Sequence, residues 1–154
     1  MCAACCFALL VVAVAGCGRQ TGLEHAPAAC VGGLASERVA DLRVALAKAP
    51  GAVTLSDGTR ISDCLAHDSS SGDIQTVGST FLSVAQSLAD ATHRRRSDVA
   101  LTELGYLIGA AHRGAAHSQG VADELVRRLD QELQDVDVTA SAYVAGERAG
   151  RAEG

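Results

Sequence analysis

Apolar residues recur every three or four positions along most of the chain between residues 74 and 143. A period close to 3.6 residues places the apolar side chains on one face of an amphipathic helix. Ser70 and Ser97 precede the first two stretches, where a serine hydroxyl can cap a helix. The three apolar faces comprise Ile74, Val77, Phe81, Val84, Leu88 and Ala91; Leu101, Leu104, Ile108, Ala111 and Ala115; and Ala122, Leu125, Leu129, Leu133, Val136, Ala140 and Tyr143. Because the connections between them are short, the three helices are predicted to pack antiparallel.

A further helix and a hairpin are predicted ahead of this region. The first helix is expected from Ser36 to Ala49, where Pro50-Gly51 stops it. Asp57-Gly58, a two-residue turn signal, lies between the short alternating runs 53–55 and 59–61. Aromatic residues make up only 3% of the chain and tryptophan is absent, which favours a core of close-packed helices. The fold expected is mainly α: a small antiparallel bundle of about four helices, with one short β-hairpin between the first and second.

Two glycines set the expected limits of the last helices. Gly120 predicts a break between the third and fourth helices. The alternative is one long helix through this position, because glycine costs only about 1 kcal/mol in a helix interior. From Gly146 onward the chain reads GERAGRAEG, and residues 147–154 are predicted to be a disordered tail.

The start of the chain has the pattern of an export signal. Residues 1–16 carry no charged side chain, and fourteen of them, Ala3 to Gly16, form an apolar or small-residue run. A membrane-spanning helix needs about 20 residues, so this run has the length of a signal core instead. It ends in Val14-Ala15-Gly16-Cys17, which resembles the lipobox of bacterial lipoproteins. The alternative is a plain secretory signal that a cysteine follows by coincidence.

The resemblance implies cleavage between Gly16 and Cys17 and a lipid on Cys17, which replaces a transmembrane anchor. Residues 1–16 are then the signal peptide, 17–29 the lipidated cysteine and a flexible tether, 30–146 the helical domain and 147–154 the tail. The protein would be anchored by lipid in the cell membrane or outer membrane, facing outside the cytoplasm.

Once the signal and Cys17 are set aside, Cys30 and Cys64 remain. Two cysteines in an oxidising compartment are predicted to form a disulfide, here closing a loop of about 35 residues. The alternative is a redox or metal-binding pair. That alternative is disfavoured because the two are not in a Cys-x-x-Cys arrangement and neither has a histidine at ligand spacing.

Small residues four apart mark the helix that contains Gly105, Gly109 and Gly114. Such spacing lets a neighbouring backbone approach closely, and tight packing inside the bundle is predicted. The alternative is a groove for a partner or a small ligand. His112 lies beside this stretch, but His112 and His117 are five positions apart and so lie on different helix faces. No metal site is predicted.

The net charge argues against nucleic-acid binding, and the absence of known catalytic motifs argues against enzymatic activity. The formal net charge of −5 disfavours nucleic acid as a partner. The sequence contains no P-loop, dinucleotide-binding glycine motif, His-Glu-x-x-His or Gly-x-Ser-x-Gly. No enzymatic activity and no cofactor are therefore expected. The leading hypothesis is a non-catalytic envelope module that binds another protein or has a structural role. One alternative is a small-ligand or metal carrier that uses a groove near Gly105, Gly109 and His112, and another is a hydrolase of unfamiliar type.

Overall fold

The computed structural model describes residues 25–65, 70–116, 118 and 120–154. Within these residues the protein is mainly helical, as the sequence predicts, and the helices pack as a bundle around one apolar core. The elements are α1 (Ala28–Val31), α2 (Ala35–Leu46), a 3₁₀ helix (Ile61–Cys64), α3 (Ser71–Arg95), α4 (Asp98–Ala115), α5 (Val121–Gln131) and α6 (Ser141–Glu153).

The predicted starts of the long helices are confirmed. The Ser70 hydroxyl accepts a hydrogen bond from the Asp73 amide at 3.1 Å, at the first turn of α3. The Ser97 hydroxyl accepts one from the Ala100 amide at 3.2 Å, at the first turn of α4. Gly120 precedes α5 with φ of 78°, a left-handed conformation that glycine adopts without strain. The chain therefore breaks at Gly120, and α4 and α5 are separate helices.

Replacing Ser70 with alanine is expected to lower the free energy of unfolding by about 1 kcal/mol, because the Asp73 amide loses its acceptor. The neighbouring Ser71→Ala is the matched control, since the exposed Ser71 lies inside the helix and is not the capping residue. Urea unfolding followed by circular dichroism measures both changes. Equal effects of the two substitutions would contradict the capping role of Ser70.

The predicted β-hairpin is wrong. No strand forms among the described residues, and the pairing between the two runs is reduced to a single antiparallel bridge between Thr54 and Arg60. The turn around Asp57-Gly58 does form, with the Leu55 amide donating to the Thr59 carbonyl at 2.8 Å. The pairing ends there because Ile61, fully buried, begins the 3₁₀ helix instead of extending a strand.

Three helix pairs run parallel, which departs from the predicted antiparallel bundle for α2 with α3 and for α4 with α6; a parallel α3 and α5 are expected when each is antiparallel to the helix between them. Arg38 of α2 bonds to Thr80 of α3, and Arg43 bonds to Ser87, so residue numbers rise together and the two helices run parallel. The same ascending order holds for α3 with α5 and for α4 with α6. The contacting pairs are Gly78 with Leu125, Gln86 with Glu132, Gly105 with Tyr143 and Gly109 with Glu147. The two helices of each pair are separated in sequence by a long loop or by another helix. The chain can therefore run back along the first helix before the second helix begins in the same direction.

The last predicted helix is divided into two. Residues 132–140 form turns between α5 and α6, and Asp137 accepts hydrogen bonds from both the amide and the hydroxyl of Thr139. A side chain that bonds the backbone two residues on competes with the helical conformation. Val136 is buried within this turn region, which explains why it matched the apolar period without being helical.

The domain boundaries also differ from prediction. Residues 147–154 are not a disordered tail, because α6 continues to Glu153 and packs against α4. At the other end, Ala26 is only 5% exposed and its amide donates to Asp73 at 3.3 Å. Residues 25–29 therefore belong to the folded domain, while residues 17–24 of the predicted tether lie outside the described residues.

Candidate functional site

The predicted lipidation site cannot be placed in the fold. Gly16 and Cys17 lie outside the described residues, and the signal peptide and lipid anchor stay predictions. Among the residues that the structure does describe, no helix combines the length and the hydropathy that crossing a membrane requires.

Cys30 and Cys64 form a disulfide, as predicted, with their Cα atoms 5.6 Å apart. Cys30 lies in α1 and Cys64 ends the 3₁₀ helix. Both are almost completely buried, at 5% and 1% exposure. The bond joins the first turn of the domain to the segment that packs against α4, and its burial fits a structural bond better than an exposed redox pair.

Gly105 and Gly109 lie where α4 and α6 meet, the most extensive helix contact in the domain. A Cβ atom added to Gly105 would collide with the Tyr143 carbonyl and lie 2.9 Å from the Glu147 amide nitrogen. One added to Gly109 would collide with the Glu147 carbonyl and lie 2.9 Å from the Arg151 nitrogen. Glycine is thus required at both positions because the opposing atoms are backbone.

The contact is reciprocal, which the sequence did not predict. A Cβ on Gly146 of α6 would strike the Thr102 carbonyl of α4, and one on Gly150 would strike the Tyr106 carbonyl. The glycine Cα–H groups of each helix therefore face carbonyl oxygens of the other, an arrangement that supports weak Cα–H···O bonds. Ala142, Gly146, Gly150 and Gly154 repeat every four residues, the same spacing that marks α4.

Polar contacts hold α6 at both ends. Thr102 donates its hydroxyl to the Ala142 carbonyl at 3.2 Å. Arg113 donates to the carbonyls of Arg151, at 3.0 Å, and Ala152, where helix carbonyls otherwise lack partners. Tyr143 is buried between these ends, and burial, together with the nearby Glu147 and Asp130 carboxylates, raises its pKa.

Gly114 makes a different contact from the other two predicted glycines. An added Cβ would meet the Ser62 carbonyl and lie 3.0 Å from the Leu65 Cβ, on the 3₁₀ helix and the residue that follows it. Gly114 thus brings α4 against the segment that ends in the disulfide. Tight packing, and not a groove, surrounds all three glycines of α4.

His112 does not line an open ligand groove. Its Nε2 lies 3.0 Å from Asp130 Oδ1 in α5, and its side chain is 28% exposed. Helix α6 covers the Gly105 and Gly109 face, so the groove expected beside Gly105, Gly109 and His112 is filled. His117 lies outside the described residues. Among those described, no three His, Cys, Asp or Glu side chains are grouped so as to hold a metal ion.

The sequence did not predict a shallow groove between α3 and α5, of about 300 Å³. Its apolar lining includes Ile74, Leu82, Val121 and Leu125, and Val121 is 46% exposed. Gly78 forms part of the floor, since a Cβ there would lie 3.2 Å from Leu125 Cδ1. The absence of a side chain at Gly78 lets Leu125 of α5 pack directly against the backbone of α3.

The rim of this groove is polar. Glu124 accepts bonds from Arg127 at 2.5 Å and from Arg128 at 2.8 Å, and these bonds lower its pKa. Gln75 and Ser79 line the opposite side, on α3. One carboxylate is shared by two arginines, so these three residues leave a net charge of +1 beside the apolar lining of the groove.

Comparisons of this chain with protein-family models, with curated proteins and with solved structures find no match.

Proposed function

We propose that this protein is an exported lipoprotein, cleaved between Gly16 and Cys17 and anchored by lipid on Cys17 in the cell membrane or outer membrane. The helical domain then lies outside the cytoplasm. The observation that supports this most is the disulfide between Cys30 and Cys64, because such bonds persist in oxidising compartments and are rare in the cytosol. The lipobox-like residues 14–17 supply the anchor.

Metabolic labelling with a palmitate analogue tests the anchor. The wild-type chain is expected to incorporate the label and to fractionate with membranes, and Cys17→Ser is expected to lose both properties. Cys6→Ser is the matched control, because this cysteine leaves with the signal peptide and the substitution should preserve labelling. Label retained by Cys17→Ser, or lost in Cys6→Ser alone, would overturn the assignment.

The role that fits this domain is a non-catalytic envelope module that binds another protein or supports an assembly. Its support is structural: a disulfide, close backbone packing of α4 with α6 and capped helices fix the relative positions of the surface elements. Fixed surfaces limit the conformational entropy that is lost when a partner binds. The proposed role requires neither a membrane-spanning segment nor a cofactor.

In-cell cross-linking tests this role. A tagged wild-type chain is expected to yield one discrete cross-linked product with an envelope protein. The Cys17→Ser variant, which lacks the proposed anchor, is expected to yield it at least several-fold less. Turnover of a small substrate by the purified chain would contradict the non-catalytic part of the proposal. The absence of any cross-linked product from wild-type cells would contradict the binding part.

A further inference from the structure

The shallow groove between α3 and α5 has apolar side chains on both walls. Ile74 and Leu82 of α3 are eight residues apart, which corresponds to about 12 Å along the helix axis. Val121 and Leu125 of α5 form the opposite wall, and Val121 is exposed to solvent. The apolar lining is therefore about two helical turns long and accessible from outside.

These dimensions favour a helix over other apolar occupants. A helix places apolar side chains at i, i+4 and i+7 on one face, and its opposite face stays in water. An acyl chain has no polar face, so a shallow groove would leave part of its apolar surface in water. Among the described residues no strand forms, so none of them offers a sheet edge to an extended peptide.

The charges beside the groove favour an anionic partner. Glu124 is shared by Arg127 and Arg128, so these three residues have a net charge of +1. Arg128 lines the groove and donates to Glu124 through Nε, which leaves its two terminal nitrogens as donors for a second carboxylate. The whole chain has a net charge of −5, but charges are screened over about 8 Å at physiological ionic strength. The local charge at the rim therefore decides which partner the groove accepts.

We propose that the groove between α3 and α5 binds an acidic amphipathic helix of a partner protein, with apolar side chains between the two helices and a carboxylate on Arg128. The inference rests on the proposed protein-binding role and names the surface and the partner chemistry for it. Because the rim is exposed, the carboxylate orients the partner helix, and the apolar side chains supply most of the affinity.

Titration of the full-length chain with a synthetic peptide tests the groove. The probe is a fluorescein-labelled helix of about four turns, with leucines at i, i+4 and i+7 and glutamates beside them. Fluorescence anisotropy at physiological salt should show saturable binding. The same peptide with glutamine in place of each glutamate is the control and should bind at least several-fold more weakly. Equal binding of the two peptides, or no saturable binding, would overturn the proposal.

Substitutions on both sides of the groove locate the binding. Val121→Ser removes apolar lining and should weaken binding of the glutamate peptide at least several-fold. Arg128→Gln removes the cation and should make the glutamate and glutamine peptides bind equally. The matched controls are Val44→Ser on α2 and Arg148→Gln on α6, because both residues are exposed and neither lines the groove. Unchanged binding in Val121→Ser and Arg128→Gln would refute the groove as the site.

The in-cell cross-linking assay separates this inference from the proposed role. The discrete product should decrease at least several-fold in Val121→Ser and persist in Val44→Ser. An unchanged yield in Val121→Ser would refute the groove and leave the protein-binding role intact. Binding of the peptide without any product from wild-type cells would count against the role alone. Lipid or a second copy of this chain, cross-linked in place of a partner, would overturn the proposal.

Discussion

Gly109→Leu is expected to destabilise the domain by about 3 kcal/mol or more. The new side chain would have to displace the Glu147 carbonyl and the Arg151 amide, which are backbone atoms of α6 and cannot rotate aside. Leucine has a higher helix propensity than glycine, so a loss of stability would not come from α4 itself. Urea unfolding followed by circular dichroism measures the change. Trypsin cleavage at Arg148 and Arg151 should become faster if α6 separates from α4.

Gly72→Leu is the matched control for this substitution. Gly72 lies in the first turn of α3, and an added Cβ would have the Ser70 hydroxyl at 3.8 Å as its neighbour, an ordinary contact distance. The same change is therefore expected to be neutral or stabilising by up to about 1 kcal/mol. If Gly109→Leu were as stable as Gly72→Leu, the close contact between α4 and α6 would be refuted.

Removing the disulfide is expected to give a comparably large effect. The double variant Cys30→Ala/Cys64→Ala should lose about 4 kcal/mol of unfolding free energy, because the bond closes a loop of about 35 residues in the unfolded chain. Alanine is preferred over serine here, since both positions are buried and a hydroxyl would lack partners. The measurement is the midpoint of urea unfolding with and without a reducing agent.

Wild-type protein in the reducing agent provides the control for the disulfide variant. It should unfold at nearly the same urea concentration as the double variant, which the agent should not affect. A thiol count on the unreduced, unfolded chain should detect neither Cys30 nor Cys64. Detection of both as free thiols, or a double variant within 1 kcal/mol of the wild type, would contradict the structural role of the bond.

The sequence predicted α3 and α4 well because each carries a long apolar period and a serine cap. It failed for α6, where Tyr143 is the single large side chain that is buried. The glycines that weaken the helix propensity of this segment are the residues that bring its backbone against α4. Glycine spacing in α6 matched that in α4, and comparing the two stretches could have predicted the contact.

The same apolar patterns could not predict whether neighbouring helices run parallel or antiparallel. An apolar period identifies the face that a helix buries and says nothing about which neighbour covers it. Residues 47–70 separate α2 from α3, and this length allows either a parallel or an antiparallel return. The α3–α5 groove was missed for a related reason, since it depends on how two helices at a distance in sequence come to lie together.

The position of the disulfide decides how the domain would bear mechanical load. A pull on the chain from the residues ahead of His25 would first break the contacts that His25 and Ala26 make with Asp73. It would then reach Cys30 and pass through the covalent bond to Cys64, next to the segment packed on α4. Residues 31–63, including all of α2, lie inside the covalent loop and outside the covalent path of the force. Force would thus be delivered directly to the most tightly packed part of the molecule.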